Sequence, residues 1–224
     1  MLAPVRLPAV APPAPPPGRR RTLSLAVTAL AALPRAPARA VRTGRLPAAS
    51  VFIATSEDGF IAKTDGSLDW LTPSGKELQY EAGFERFLSS VDAVVMGRKT
   101  FESVRDMEGG PWPYGDRLVV VLSEKGVAVP ERLKGKVKLA KGKPEDILAD
   151  LAASGVKDVY VDGGQTIRRF LAARLLTRII VSKMPVSLGD GVPLFTGEDA
   201  SRLEEVASKK LSAGVNQVTY KVKP

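Results

Sequence analysis

The stretch from Val94 to Ser103 constrains the fold most, because an apolar run, Val94-Val95-Met96, ends at Gly97 and passes at once into Arg98-Lys99-Thr100-Phe101. It reads as a buried strand ending at a helix start. A helix N-terminus carries unpaired backbone N–H groups and a partial positive charge, and Gly97 lets the backbone approach closely. Arg98 and Lys99 add charge and Thr100 a hydroxyl, so the junction suits a phosphate. It also suits a plain connecting turn, which such junctions often are. A second junction of the same kind follows at Val159-Tyr160-Val161-Asp162-Gly163-Gly164-Gln165-Thr166-Ile167, where another helix runs to about Ala173. Two such turns match a ligand with two separated anionic centres, as a pyrophosphate and a further ribose phosphate are. The spacing is neither G-x-G-x-x-G nor a Walker motif.

Around these junctions, strands and helices alternate. Strands are expected at Ser50 to Thr55, Ala93 to Met96, Arg117 to Leu122, Val137 to Ala140, Val159 onward and Leu176 to Met184. Helices are expected from Thr72 to about Ser89, with Ser74 and Glu77 at capping-box spacing, from Pro144 to Ala153, and after Gly164. That order argues for an α/β fold with a mixed, mostly parallel sheet and helices on both faces. Glu204 to Leu211 and Val215 to Lys223 read as an antiparallel hairpin closing one sheet edge.

Composition removes several chemistries. The 224 residues include neither cysteine nor histidine, which excludes disulfides, thiolate nucleophiles, serine–histidine triads and the commonest metal ligands, so no metal site is expected. Carboxylates, tyrosine, lysine, water or a bound cofactor remain. The formal charge of +9 sits mostly in the first 50 residues, which hold eight arginines and no acid. The near-neutral remainder gives little reason to expect nucleic acid as a partner. Residues 1–48, rich in Ala, Pro and Arg, read as a disordered or removed leader, and residues 49–224 as one domain. The leader has the composition of an organelle transit peptide, while the apolar run from Thr22 to Leu33 before Ala38-Arg39-Ala40 also fits a secretory signal. That run is too short to span a bilayer, and no membrane association is expected. A cytoplasmic protein with an unstructured tail is the alternative.

Five segments in order resemble the dihydrofolate-reductase-like family, and within it the branch containing the C-terminal reductase domain of the bacterial riboflavin deaminase/reductase. They are Ser56-Glu57-Asp58-Gly59-Phe60-Ile61-Ala62, Gly66 to Leu71, Val94 to Phe101, Val161 to Phe170 and Pro185 to Phe195. The resemblance implies a dihydrofolate-reductase-like three-layer fold and an NADPH-dependent reductase with its cleft at the strands' C-terminal ends. It would place Gly97, Arg98, Lys99 and Thr100 on the adenosine half of NADPH, with Leu122 and Ser123 beside the 2′-phosphate and Lys125 near. Gly163, Gly164, Gln165, Thr166 and Ile167 would cradle the pyrophosphate, and Ala54, Ile61 and Ala62 would border the nicotinamide. Trp70, Tyr80 and Asp162 would contact substrate, with Phe84 as a further cleft residue. Asp69, its pKa raised by burial beside Trp70, or ordered water would supply a proton.

The resemblance is incomplete in ways that bear on substrate. Folate reductases carry an acid on the first helix where this chain has Tyr80, with Glu77 and Glu81 offset. The riboflavin branch carries an acid-acid-proline run and an arginine for a ribose phosphate. This chain has Glu102 to Gly110 instead, with Arg105 as the possible phosphate partner. Thr177-Arg178 stands in place of a usual acidic pair. The expected function is hydride transfer from NADPH to a C=N or C=O group of a small heterocyclic or ribosyl substrate. A pterin reductase and a non-catalytic NADPH-binding protein are the alternatives. The resemblance further implies a homodimer, and NADPH dependence favours an organelle, the chloroplast first.

Overall fold

A computed structural model describes residues 45–74, 81–106 and 112–223. Strands β1 (Ala48–Thr55) and β2 (Phe60–Ala62) precede a 3-10 turn at Asp69–Ser74 and helix α1 (Phe84–Ser89). Then come β3 (Ala93–Gly97), α2 (Arg98–Arg105), β4 (Leu118–Leu122), β5 (Val137–Ala140) and α3 (Pro144–Ala153). The chain continues through β6 (Asp158–Asp162), α4 (Gly164–Ala172), β7 (Leu176–Lys183), β8 (Val192–Pro193), β9 (Leu203–Lys210) and β10 (Asn216–Val222).

Eight strands form one sheet in the order β5-β4-β3-β6-β1-β7-β10-β9. Pairing is parallel from β5 to β7 and antiparallel for β7-β10 and β10-β9. The alternating order therefore folds as expected, hairpin edge included. Ala93, Val94, Val95 and Met96 are all fully buried because successive side chains enter opposite layers. Ala93 and Val95 pack with Ile147 and Leu148 of α3 and Ile167 and Phe170 of α4. Val94 and Met96 pack with Phe87 of α1 and Phe101 of α2. Among the described residues, no helix is long and apolar enough to cross a membrane.

Two elements differ from the sequence reading. The helix expected from Thr72 to Ser89 is not a single one over the described residues: Asp69–Ser74 is a 3-10 turn, Glu81 and Ala82 are helical, and Gly83, at φ 82°, separates them from α1. That left-handed conformation interrupts a helix and suits glycine. Glu77, one member of the expected capping box, lies outside the described residues. The second difference is a small antiparallel pair, β2 with β8, too short to show a period.

Asp58 holds that pair in place. Its carboxylate accepts from Ser187 Oγ at 2.8 Å and from the backbone N–H groups of Leu188 at 3.2 Å and Gly189 at 2.7 Å. Glu57 N–H donates to Val186 O, and Leu194 N–H to Gly59 O. The segment after Ser56 and the segment after Pro185 are thus one clamp, and it sets Ile61 and Ala62 against the end of the sheet. Hydrogen bonding from Ser56, Ser187 and the two amides holds the Asp58 pKa well below the ordinary carboxylate range, against a desolvation cost. A depressed folded pKa contributes stability above the unfolded value of about 4, and that stability is lost as pH falls through the folded value. Acid unfolding of Asp58→Asn, followed by circular dichroism, is expected to lack this component below about pH 4, and its thermal midpoint at neutral pH to fall.

Candidate functional site

The C-terminal ends of β4, β3, β6, β1 and β7 open onto one cleft of about 1290 Å³. Open parallel sheets bind ligands at this edge. At its centre, β3 and β6 are direct neighbours, with Met96 opposite Asp162 in register. Gly97 and Gly163 follow those two residues, so the glycine turns lie side by side. The two junctions singled out in the sequence therefore open on the same edge of the sheet.

The two turns brace one another. A Cβ on Gly97 would stand 3.1 Å from Thr166 Oγ1, and a Cβ on Gly163 would overlap Thr100 Oγ1. Each helix's threonine therefore occupies the space that the other turn's glycine leaves open. Gly163 also has φ 85°, and a Cβ on Gly164 would stand 2.5 Å from Ile61 Cδ1. Neither α2 nor α4 has a side-chain cap on its first turn, and neither carries an acid there. Their first-turn N–H groups are placed to donate to an external anion.

Most of the sequence-derived cofactor residues line this cleft: Ala54, Ile61, Ala62, Gly97, Arg98, Lys99, Thr100, Leu122, Ser123, Gly163, Gly164, Gln165 and Thr166. Ile167 does not, being fully buried among core residues. Arg98 is tied by one nitrogen to both oxygens of Glu102, at 2.9 and 2.7 Å. Ser123 Oγ donates to Gly126 O at 2.9 Å. Lys125, Arg168 and Arg169 add further cations to the lining. Sequence reasoning passed over Arg168, although a residue four after Gly164 shares its helix face, and its guanidinium does lie beside that glycine.

The substrate candidates separate. Asp162 lines the cleft, accepting from Tyr114 Oη at 3.0 Å and from Gly163 N–H at 2.8 Å. Desolvation raises its pKa, while hydrogen bonds from Tyr114, Gly163 and Tyr160 oppose the shift. Tyr114 is 3% exposed, stacked edge-on against Trp112, and its own pKa is pushed up by burial and by Asp162. Tyr114 carries no local sequence signal, since it meets Asp162 across 48 residues. Phe84 and Tyr160 also line the cleft. Trp70 instead packs with Met184, Leu211 and Val215 behind it. Tyr80 lies outside the described residues.

Asp69 is placed elsewhere too. It does not line the cleft, its side chain is 64% exposed, and Lys63 Nζ donates to it at 2.8 Å. The raised pKa expected from burial beside Trp70 is corrected by this contact, because Lys63 lowers it.

Comparison with known proteins agrees with this geometry. Residues 47–217 match the family model described as the RibD C-terminal domain. The uncharacterised protein YwjB of Bacillus subtilis is 31% identical over 172 residues, covering 69% of this chain and 87% of that protein. Dihydrofolate reductase HdrB of Haloferax volcanii is 34% identical over 119 residues, 52% of this chain and 56% of that one. A solved structure from Shewanella sp. PV-4, named for riboflavin biosynthesis, is 40% identical, with TM-score 0.70 over 79% of this chain and 99% of that one. The three-layer architecture is the dihydrofolate-reductase-like one.

Three substitutions test the geometry. Gly163→Ala is expected to destabilise the protein in denaturant unfolding, and Thr100→Ala to recover part of that loss, since the two positions share one space. Tyr114→Phe removes a donor from a buried carboxylate, an expected cost of about 1–3 kcal/mol. It should also move the Asp162 titration further up, read by carboxyl NMR.

Proposed function

The chain belongs to the RibD C-terminal domain family, and from that membership and the cleft we propose that it is an NADPH-dependent reductase of a small heterocyclic substrate. The observation that carries this reading is the pair of mutually braced, uncapped helix N-termini at the sheet's C-terminal edge. The residues fit the coenzyme: the uncapped first turns of α2 and α4 stand side by side at the cleft, and five cations, Arg98, Lys99, Lys125, Arg168 and Arg169, line it.

In this proposal the α2 and α4 amides hold the pyrophosphate, while Arg98, Lys99 and Ser123 face the 2′-phosphate. Ala54, Ile61 and Ala62 give the nicotinamide a small, apolar wall that excludes water. When bound, NADPH supplies a hydride to a polarised C=N or C=O carbon. Asp162 orients the substrate through its carboxylate, with Tyr114 fixing which way that carboxylate points, and the balancing proton reaches the substrate nitrogen or oxygen from water. The names of two relatives, a dihydrofolate reductase and a riboflavin-biosynthesis protein, support the reductase reading. A homodimer and an organellar address for residues 1–48, the chloroplast first, extend the same proposal to assembly and location.

Calorimetry on the purified full chain is expected to show NADPH binding at least about tenfold more tightly than NADH, and Arg98→Ala to remove most of that preference. Equal affinities in the wild type overturn the 2′-phosphate assignment. Tight NADPH binding with no coenzyme oxidation across pterins, aminouracils and small carbonyls would instead identify a non-catalytic binder.

A further inference from the structure

The wall that Ile61 and Ala62 give the cleft stands on a weak element. β2 and β8 are three and two residues long, pair at Phe60 with Pro193 and at Ala62 with Val192, and include a proline, which has no N–H to donate. A two-stranded pair of that length does not hold itself in water. One end is fixed by the Asp58 clamp, and Gly191 lies so close to Ala62 O that a Cβ there would overlap it.

The other end is fixed from α4. Arg168 is half-buried at the cleft, and its Nη1 donates to Pro193 O at 2.5 Å. The same nitrogen lies 3.3 Å from the position a Cβ on Gly164 would take, and Ile61 Cδ1 lies 2.5 Å from it. Helical side chains lean toward the N-terminus of their helix, which brings a residue four positions on back over the first turn. Arg169 turns elsewhere, donating through Nη2 to Gly142 O at 3.0 Å, and Arg98 is paired with Glu102. Among the described residues, Arg168 is the one cation of the cleft hydrogen-bonded to β2 or β8.

Resting on the reductase reading above, we propose that Arg168 is a positioning residue that ties the coenzyme's pyrophosphate to the wall beside its nicotinamide, one guanidinium donor holding Pro193 O while others serve phosphate oxygens at the first turn of α4. A guanidinium has five N–H donors in a rigid fork, and Pro193 O takes one of them. The α4 amides bring a partial positive charge to that turn, which carries no acid, and a full charge beside them adds a charge-assisted bond to an oxyanion. Pyrophosphate is common to NADPH and NADH, so Arg168 acts on both alike, whereas Arg98 and Lys99 act on the 2′-phosphate that NADH lacks. Loss of the guanidinium also leaves β8 without its bond to α4, and Ile61, packed on Gly164, without that support.

Calorimetry on the full chain compares the wild type with Arg168→Met, which keeps an unbranched stem and removes every donor, and with Arg168→Lys, which keeps the charge. Arg168→Met is expected to bind NADPH and NADH about tenfold more weakly each, with their ratio unchanged, and Arg168→Lys to recover part of the loss. Native-state hydrogen exchange of the Leu194 N–H, which donates to Gly59 O, reads the wall. It is expected to quicken about tenfold in Arg168→Met, while the amide of buried Val95 keeps its rate. Unchanged coenzyme affinity overturns the inference even where Leu194 exchanges faster, since Arg168 is then a brace with no part in binding. Weakened binding with Leu194 exchange unchanged overturns it by removing the tie, and a loss confined to NADPH by moving Arg168 to the 2′-phosphate. A wild type that binds neither coenzyme overturns the reductase reading itself, and this inference with it.

Discussion

The contact on which the cleft depends is the exchange of threonines between two neighbouring turns. Thr100 fills the space over Gly163, and Thr166 the space over Gly97. Because β3 and β6 are paired in register, this exchange fixes α2 and α4 relative to one another at their first turns. A helix N-terminus attracts an anion only where its N–H groups are aimed and left unpaired. The glycines make room for the threonines, and the threonines hold the two first turns against one another. Opening of either turn would disturb both.

The rest of the molecule supports that edge from two sides. Below it, parallel strands buried on both faces separate the layer of α3 and α4 from the layer of α1 and α2. Above it, the Asp58 clamp joins the segment after Ser56 to the segment after Pro185, 129 residues apart for the Ser187 contact. The clamp carries Ile61 to Gly164, where no Cβ could fit. A surface carboxylate thus shapes the wall of the cleft through backbone amides, without lying in it.

What could be read in the chain was what is local. The two strand–glycine–helix junctions, the strand order and the terminal hairpin are written in consecutive residues, whose period and turn chemistry depend on near neighbours. The Gly83 break was legible only in part, since a glycine within an apolar face need not interrupt a helix. Asp69 was misjudged because its environment depends on Lys63, six residues earlier, reaching it across a turn. Tyr114 was invisible because its partner Asp162 is brought to it by the sheet. Pairing of β3 with β6 also decided that the two phosphate-ready turns are adjacent, which spacing along the chain cannot reveal.

Asp162 stands where these arrangements meet. It ends β6 and gives one oxygen to the N–H of Gly163, so it belongs to the anion-binding turn, where a carboxylate beside a phosphate is repulsive. Its other oxygen accepts from Tyr114, so both carboxylate oxygens are held by named donors. Burial raises its pKa, and the bonds from Tyr114 and Gly163 restrain that rise. A single carboxylate thereby ties the glycine turn after β6 to a tyrosine 48 residues earlier, and the end of that strand to the wall of the cleft.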